Sequence, residues 1–189
     1  MKTKFIILTL LISFSLNAQI TKNHWLVGGS GSFSFNNSNI TSNIDGSSDK
    51  FNSFTLELSP NFGYFLVDKF ALGLRGTYKN NFSTEKNSAP TFTEISIDPF
   101  LRYYFLNSDR PLNIFSELSY KFFLNNPYNN NMKTFGAKSG IVYFVNDIIG
   151  YELALNYSNT TFDNALGNKG SNNIIMLALG IQVHLEKQK

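Results

Sequence analysis

The feature that most constrains this chain is a strict alternation of apolar and polar side chains along residues 57–78. A period of two residues is that of a β-strand, in which successive side chains point to opposite faces. The apolar positions are Leu58, Pro60, Phe62 and Tyr64, then Phe70, Leu72 and Leu74. A short turn at Val67–Lys69 separates the two sets, which predicts two strands joined as an antiparallel hairpin.

The end of the first of these strands recurs twice along the chain. Segment 60–64, with Pro, Phe and Tyr at alternate positions, is echoed by 99–103 with Pro, Leu and Tyr, and by 139–143 with Ser, Ile and Tyr. The three tyrosines are 39 and 40 residues apart, and each precedes a polar turn. A hairpin repeated at near-constant spacing predicts a meander of antiparallel strands.

The start of the chain predicts export. Lys2 and Lys4 precede an apolar run, Phe5–Leu16, and Asn17-Ala18-Gln19 follows it. This pattern is typical of a secretory signal peptide, residues 1–18, because the apolar run is shorter than the roughly 20 residues that a spanning helix needs. Residues 19–189 then form one domain, with no apolar run long enough for a transmembrane helix.

Eight alternating segments lie between about residues 25 and 185, and their connections are alternately long and short. The predicted strands cover 25–35, 51–66, 70–79, 91–106, 112–122, 134–145, 148–159 and 173–185. The long connections are polar, and their larger side chains are Phe82, Phe92, Tyr128 and Phe162. An even number of long strands, with both termini at the short-turn end, is typical of a membrane barrel. The sequence therefore predicts an all-β fold, an eight-stranded antiparallel up-and-down transmembrane β-barrel.

Alternation alone does not say which face points outward, because a soluble lipocalin-like barrel also has eight strands. Size favours an outward apolar face, since the interior of such a barrel is only just wide enough for side chains to fill. Charge agrees, because the polar face carries five acids and five bases that can neutralise one another when enclosed. The expected lumen charge network is Glu57, Arg75, Lys79, Glu94, Asp98, Arg102, Glu117, Lys121, Lys138 and Glu152.

Two finer expectations follow from the hairpin and from the aromatic residues. A hairpin centred on Asp68 places Arg75 opposite Asn61 and Glu57 opposite Lys79, which suggests an ion pair between the last two. Aromatic side chains near the short-turn end, Trp25, Tyr64, Tyr103 and Tyr143, are candidates for a girdle at a membrane interface. Tyr78, Tyr120 and Tyr157 are candidates for a second girdle at the long-loop end.

These features together resemble small outer-membrane barrels of the OmpA/OmpX type, the outer membrane protein β-barrel domain group. The signal peptide ending in Asn17-Ala18-Gln19, the repeated strand ends and the eight strands carry the resemblance. It implies residence in the cell outer membrane, contact with its lipid, a monomeric barrel, and recognition of the last strand, 180–185, by the barrel-assembly machinery. The chain departs from the family in lacking a terminal Phe and in carrying the tail Glu186–Lys189.

The residue types present in the chain argue against catalysis and against metal binding. There is no cysteine, and the two histidines, His24 and His184, are both expected at the short-turn end. A hydrolase acting on outer-leaflet lipid, as some barrels of this type do, needs a histidine beside its nucleophile at the other end. Two histidines do not suffice for a typical zinc site, and Asp45–Asp49 lacks the closing glutamate of an EF-hand loop. We expect no catalytic residue, no cofactor and no metal.

The sequence thus predicts a non-catalytic outer-membrane barrel whose lumen is plugged by charged and polar side chains. Its polar loops would serve structural or adhesion roles and bind any surface ligand. The net charge of +3 is scattered, so nucleic acid is not expected as a partner. Two alternatives stay open: a narrow channel for small solutes, and a soluble exported lipocalin-like binder of an apolar ligand.

Overall fold

The computed structural model describes residues 20–41, 48–83, 92–125, 131–163 and 169–186, so the predicted signal peptide lies outside the described residues. The described residues form eight antiparallel strands, and β1 also pairs with β8 to close the sheet into a barrel. The strands are β1 His24–Thr41, β2 Ser48–Val67, β3 Phe70–Ser83, β4 Phe92–Tyr104, β5 Leu112–Asn125, β6 Asn131–Phe144, β7 Ile149–Asp163 and β8 Lys169–Glu186. Within these ranges no helix is long and apolar enough to cross a membrane. The predicted barrel architecture is confirmed.

The strands run further into the polar connections than the sequence predicts. β1 continues to Thr41 and β8 begins at Lys169, where polar loops were expected. The predicted loop boundaries were wrong because the hydrogen bonds of a β-ladder join backbone groups and do not require apolar side chains. Polar side chains also pair across these extended ends, as the Oγ1 atoms of Thr134 and Thr160 do at 2.7 Å.

Most of the large side chains that were predicted to lie in loops belong to strands in the structure. Phe82 lies in β3, Phe92 begins β4, and Phe162 lies in β7. Tyr128 falls outside the described residues. Three of the four predicted loop anchors therefore belong to the barrel wall.

The three short turns lie at one end of the barrel, which we call the short-turn end, together with the start of β1 and the end of β8. At the first turn Lys69 has φ 67°, the left-handed conformation that tight hairpins require. At the third, Asn146 Oδ1 accepts hydrogen bonds from the N–H groups of Ile148 and Ile149 at 2.9 and 2.7 Å. The opposite end, where the other four connections lie, is called the long-loop end; the predicted difference in length is not kept, since 105–111 at the short-turn end is longer than 126–130 and 164–168 at this end.

The predicted register of the first hairpin is confirmed. Asn61 lies opposite Arg75 and Glu57 lies opposite Lys79 across β2 and β3. A register error of one residue would turn every side chain of a strand to the other face. The correct register therefore fixes which side chains of the hairpin enter the lumen.

Candidate functional site

The outer wall of the barrel is apolar and the lumen is charged. Leu74 and Leu155 on the outer wall are 57% and 58% exposed. Arg102 on β4 and Glu117 on β5, register partners that face inward, are 0% and 2% exposed. This is the reverse of a soluble lipocalin-like barrel, which encloses its apolar side chains around a ligand.

The predicted first girdle residues lie on this outer wall at the short-turn end. Trp25 and Tyr64 are register partners whose ring centroids are 4.6 Å apart. Tyr103 and Tyr143 are exposed near the ends of β4 and β6. A girdle of aromatic side chains is typical of the level at which a bilayer meets water.

Five of the ten predicted lumen charges form one connected network across the middle of the barrel. Arg102 places Nη2 at 2.7 Å from Glu117 Oε2 and Nη1 at 3.0 Å from Glu152 Oε2. Arg75 also pairs with Glu117, and Lys138 Nζ lies 3.2 Å from Glu152 Oε1. We call these five residues the central charge layer. Each carboxylate in it is held by two cations, which is the condition under which buried charges are tolerated.

The other five predicted charges lie nearer the long-loop end and are held differently. Lys121 Nζ lies 3.0 Å from Glu94 Oε1. Asp98 accepts hydrogen bonds from Ser96 and Thr77 hydroxyls at 3.0 and 3.2 Å.

Glu57 and Lys79 make no ion pair with each other in the described part of the chain, although they are register partners. The suggested pairing is therefore not present. Lys79 is also the register partner of Glu94, but Lys121 occupies that carboxylate instead.

Below the central charge layer, the short-turn end of the lumen is filled by apolar and aromatic side chains. We call this set the aromatic floor: Leu26, Phe65, Tyr104, Phe115, Val142, Phe144 and His184, none more than 5% exposed. The ring centroid of Phe65 lies 5.8 Å from that of Tyr104 and 5.5 Å from that of His184. The expectation that charged and polar side chains plug the lumen was wrong at this end. A wholly buried plug can be aromatic because close packing, and not polarity, is what fills it.

The sequence did contain a signal for this floor. Three aromatic doublets, at 64–65, 103–104 and 143–144, lie at or near the ends of β2, β4 and β6. With a period of two, only one member of each doublet can face outward. The other members, Phe65, Tyr104 and Phe144, are the ones buried in the floor.

The segment that precedes β1 closes this floor from the short-turn end. Ile20 is wholly buried, and its carbonyl accepts a hydrogen bond from Lys69 N–H at 2.8 Å. Asn23 N–H donates to the carbonyl of Phe65 at 3.0 Å, and Lys22 N–H donates to Asp68 Oδ1 at 2.7 Å. The beginning of the described chain is therefore fastened to the first hairpin turn.

Above the central charge layer lies a cavity of about 770 Å³, which we call the lumen cavity. One side is polar, lined from β2 to β5 by Thr55, Glu57, Thr77, Lys79, Glu94 and Lys121. The other side is mixed: from β5 to β8 the apolar side chains Phe123, Met132, Phe162, Ile174 and Met176 alternate with polar ones such as Thr134, Asn156, Ser158, Thr160 and Asn172. The central charge layer and the aromatic floor separate this cavity from the short-turn end.

The histidines lie away from the lumen cavity. His24 Nδ1 is 2.9 Å from Thr21 Oγ1, outside the floor, and His184 Nε2 is 3.2 Å from Gln182 Oε1, within it. In the described ranges no group of three or more acidic or histidine side chains is placed to hold a metal ion. Residues 45–47 of the Asp45–Asp49 segment fall outside those ranges.

Comparisons with known proteins add little to this geometry. No family model and no curated protein match the sequence. Among solved structures, the chain is similar to the outer membrane protein OprG from Pseudomonas aeruginosa, with 15% identity, a TM-score of 0.46, and coverage of 88% of this chain and 97% of that one. A likeness at this level is too weak to carry a function over.

Proposed function

We propose that this chain is an integral outer-membrane β-barrel with a closed lumen and no catalytic role. The observation that carries the proposal is the combination of an exposed apolar outer wall with buried charges inside. Side chains such as Phe122 and Leu155 are more than half exposed, and large apolar side chains that are at least 40% exposed recur on every strand from β1 to β8. Soluble proteins rarely expose apolar patches larger than a few hundred Å², so a wall of this kind needs lipid around it.

The closed architecture is also compatible with a membrane location. In lipid, every backbone N–H and C=O must be satisfied within the protein, and a closed barrel is one of only two folds that does so. The export pattern at the start of the chain and the even number of strands, with the start of β1 and the end of β8 at the same end of the barrel, favour the outer membrane, with that end on the periplasmic side.

The lumen geometry supports a plugged barrel more than a channel. A continuous water path would require Arg102 to leave Glu117 and Glu152, and Phe65 to leave Tyr104. The proposed contribution of the barrel is therefore structural. Contacts with surface partners would be made by the connections at the long-loop end, and insertion would use the barrel-assembly machinery.

Fractionation of cells that express the protein tests this proposal. We expect the protein in the outer-membrane fraction, with an electrophoretic mobility that differs between heated and unheated samples, because a closed barrel resists detergent until it is boiled. Protein recovered in the soluble periplasmic fraction would overturn the proposal and return attention to a soluble exported binder.

A further inference from the structure

The central charge layer carries more positive than negative charge. Its three cations, Arg75, Arg102 and Lys138, face only two carboxylates, Glu117 and Glu152. All five side chains are buried. A buried charge is costly unless an opposite charge compensates it. The layer, with an excess of one positive charge, therefore favours a further negative group beside it.

Two of these cations line the lumen cavity and lie close together. Arg75 and Lys138 both belong to the cavity wall. Arg75 extends from β3 to Glu117 on β5, and Lys138 on β6 is the register partner of that glutamate. The two cations therefore meet around one carboxylate, and Lys138 experiences electrostatic repulsion from Arg75. A cavity lined at one end by charges of the same sign attracts ligands of the opposite sign.

Arg75 also has a hydrogen-bond donor that no protein group uses. Its Nε is buried and has no hydrogen-bond partner among the described residues. The guanidinium is held in place by its ion pair with Glu117 and by the ring of Phe100, whose centroid lies 5.2 Å from Cζ. A buried donor without an acceptor is unfavourable. Arg75 Nε is therefore a contact point for an oxyanion.

The other carboxylates on this side of the lumen are held by other groups. Asp98 is the register partner of Arg75, but it accepts hydrogen bonds from the hydroxyls of Ser96 and Thr77 at 3.0 and 3.2 Å. Glu94 is held by Lys121 at 3.0 Å. In the part of the chain that the structure describes, neither carboxylate forms an ion pair with Arg75.

The rest of the lumen cavity limits the charge and size of a ligand. Three carboxylates and two cations line its polar side: Glu57, Glu94, Asp98, Lys79 and Lys121. This excess of one negative charge disfavours a ligand with several negative charges. The volume of about 770 Å³ lies within the range of about 300–1,000 Å³ that is usual for small-molecule sites. Apolar side chains such as Met176 offer contacts for the carbon skeleton of the ligand.

We propose that Arg75 and Lys138 form a binding site for the carboxylate of a small organic acid with a single negative charge. One carboxylate oxygen accepts a hydrogen bond from Arg75 Nε and the other from Lys138 Nζ. The bound anion compensates the excess positive charge of the central charge layer. The acid enters from the long-loop end, because the central charge layer and the aromatic floor close the other end. The site requires the closed barrel and does not depend on the membrane location.

Calorimetric titration of the full chain, folded in a non-ionic detergent, tests the site with benzoate as the probe. Benzamide is the matched control ligand, since it has nearly the same size and shape but no negative charge. We expect saturable binding of benzoate and an affinity for benzamide that is weaker by at least about tenfold, because hydrogen bonds to charged groups are the stronger ones. Equal affinity for the two ligands, or no binding of benzoate, would overturn the proposal.

Variants of the two cations locate the site. Lys138→Met removes one cation, and Arg75→Lys keeps the charge but removes the guanidinium that carries Nε. Each should weaken benzoate binding by at least about tenfold. The control is Lys79→Met, on the polar side of the same cavity, which should change the affinity by less than about twofold. A loss in Lys79→Met as large as that in Lys138→Met would overturn the site, since the general positive charge of the cavity would then hold the anion.

A substitution that supplies a carboxylate tests the site without removing either cation. Ser119 lines the cavity and lies opposite Gly136, two residues from Lys138, and opposite Phe100, which contacts Arg75. Ser119→Asp should abolish benzoate binding and raise the temperature at which the gel mobility changes, because its carboxylate takes the place of the anion. Unchanged benzoate binding in this variant would overturn the site. A lower transition temperature would also overturn it, since the layer would then favour no further negative charge.

Discussion

Arg102 and Glu152 meet across the lumen from two strands that are not neighbours, with 3.0 Å between Nη1 and Oε2. Arg102 lies on β4 and Glu152 on β7, so their contact spans the barrel and does not follow its wall. A second link of the same kind joins Tyr104 on β4 to Gln182 on β8, whose hydroxyl-to-Oε1 distance is 2.7 Å. The interior is thus tied together by contacts between opposite walls.

Replacing the cation at the centre of this network should be costly. We expect Arg102→Met to lower the free energy of unfolding by about 3–5 kcal/mol, because it breaks two buried ion pairs at once and removes the cation that Glu117 and Glu152 share. Urea unfolding in detergent micelles, followed by the heat-dependent gel shift, measures this. Arg110→Met, at an exposed position in the second short turn, is the matched control and should change little.

The charge origin of that loss can be separated from lost packing. Arg102→Lys keeps a cation at this position but lacks the planar head group that bridges Glu117 and Glu152. It should lose less stability than Arg102→Met. A loss as large as that of Arg102→Met would mean that the shape of the guanidinium, and not its charge, supports the barrel.

The aromatic floor should be as sensitive as a soluble protein core. Phe65→Ala should cost about 3–5 kcal/mol, since it deletes a wholly buried ring packed on Tyr104 and His184. Its neighbour Leu66 points outward and is 44% exposed, so Leu66→Ala should cost less than about 1 kcal/mol. The same urea titration compares the two, and similar losses would contradict the assignment of faces at this end.

The apolar outer wall predicts that the stability lost on introducing an arginine depends on where along β7 the substitution lies. Leu155→Arg should lower the free energy of unfolding in lipid vesicles by about 2–4 kcal/mol if the position lies near the bilayer midplane. Thr161, on the same face of β7 but closer to the long-loop end, is the control. There Thr161→Arg should cost about 0–1 kcal/mol. Ser119→Ala, on the lumen side, should be nearly neutral, and equal costs at Leu155 and Ser119 would refute the orientation of the wall.

The strand number and the first hairpin register were predictable from sequence because both depend on a period of two, and the size and charge of the side chains then indicated which face points outward. The alternation along 57–78 is enough to place Glu57 opposite Lys79. Loop boundaries were not predictable, because strand pairing continues through Asn-, Ser- and Thr-rich segments such as the end of β1.

Contacts across the lumen also could not be predicted from the sequence. Register specifies which residues are adjacent on the wall, but the reach of a long side chain depends on how the wall curves. Arg75 is the register partner of Asp98, yet it pairs with Glu117 two strands away. The aromatic floor is a different case, since the doublets at 64–65, 103–104 and 143–144 indicate that one aromatic side chain of each doublet faces the lumen.

The two glutamate–lysine pairs at the long-loop end test whether residues that are register partners on the wall also interact directly. Glu57 and Lys79 are register partners without an ion pair between them, whereas Lys121 reaches Glu94 at 3.0 Å. Double-mutant cycles with Glu→Gln and Lys→Met substitutions should therefore give a coupling energy near zero for the first pair. For Glu94 and Lys121, which are largely buried, we expect about 1 kcal/mol, the upper end of the range for partly exposed pairs. Coupling of the first pair as strong as that of the second would mean that Glu57 and Lys79 meet in the folded barrel, because only a direct interaction survives subtraction of the two single-variant effects.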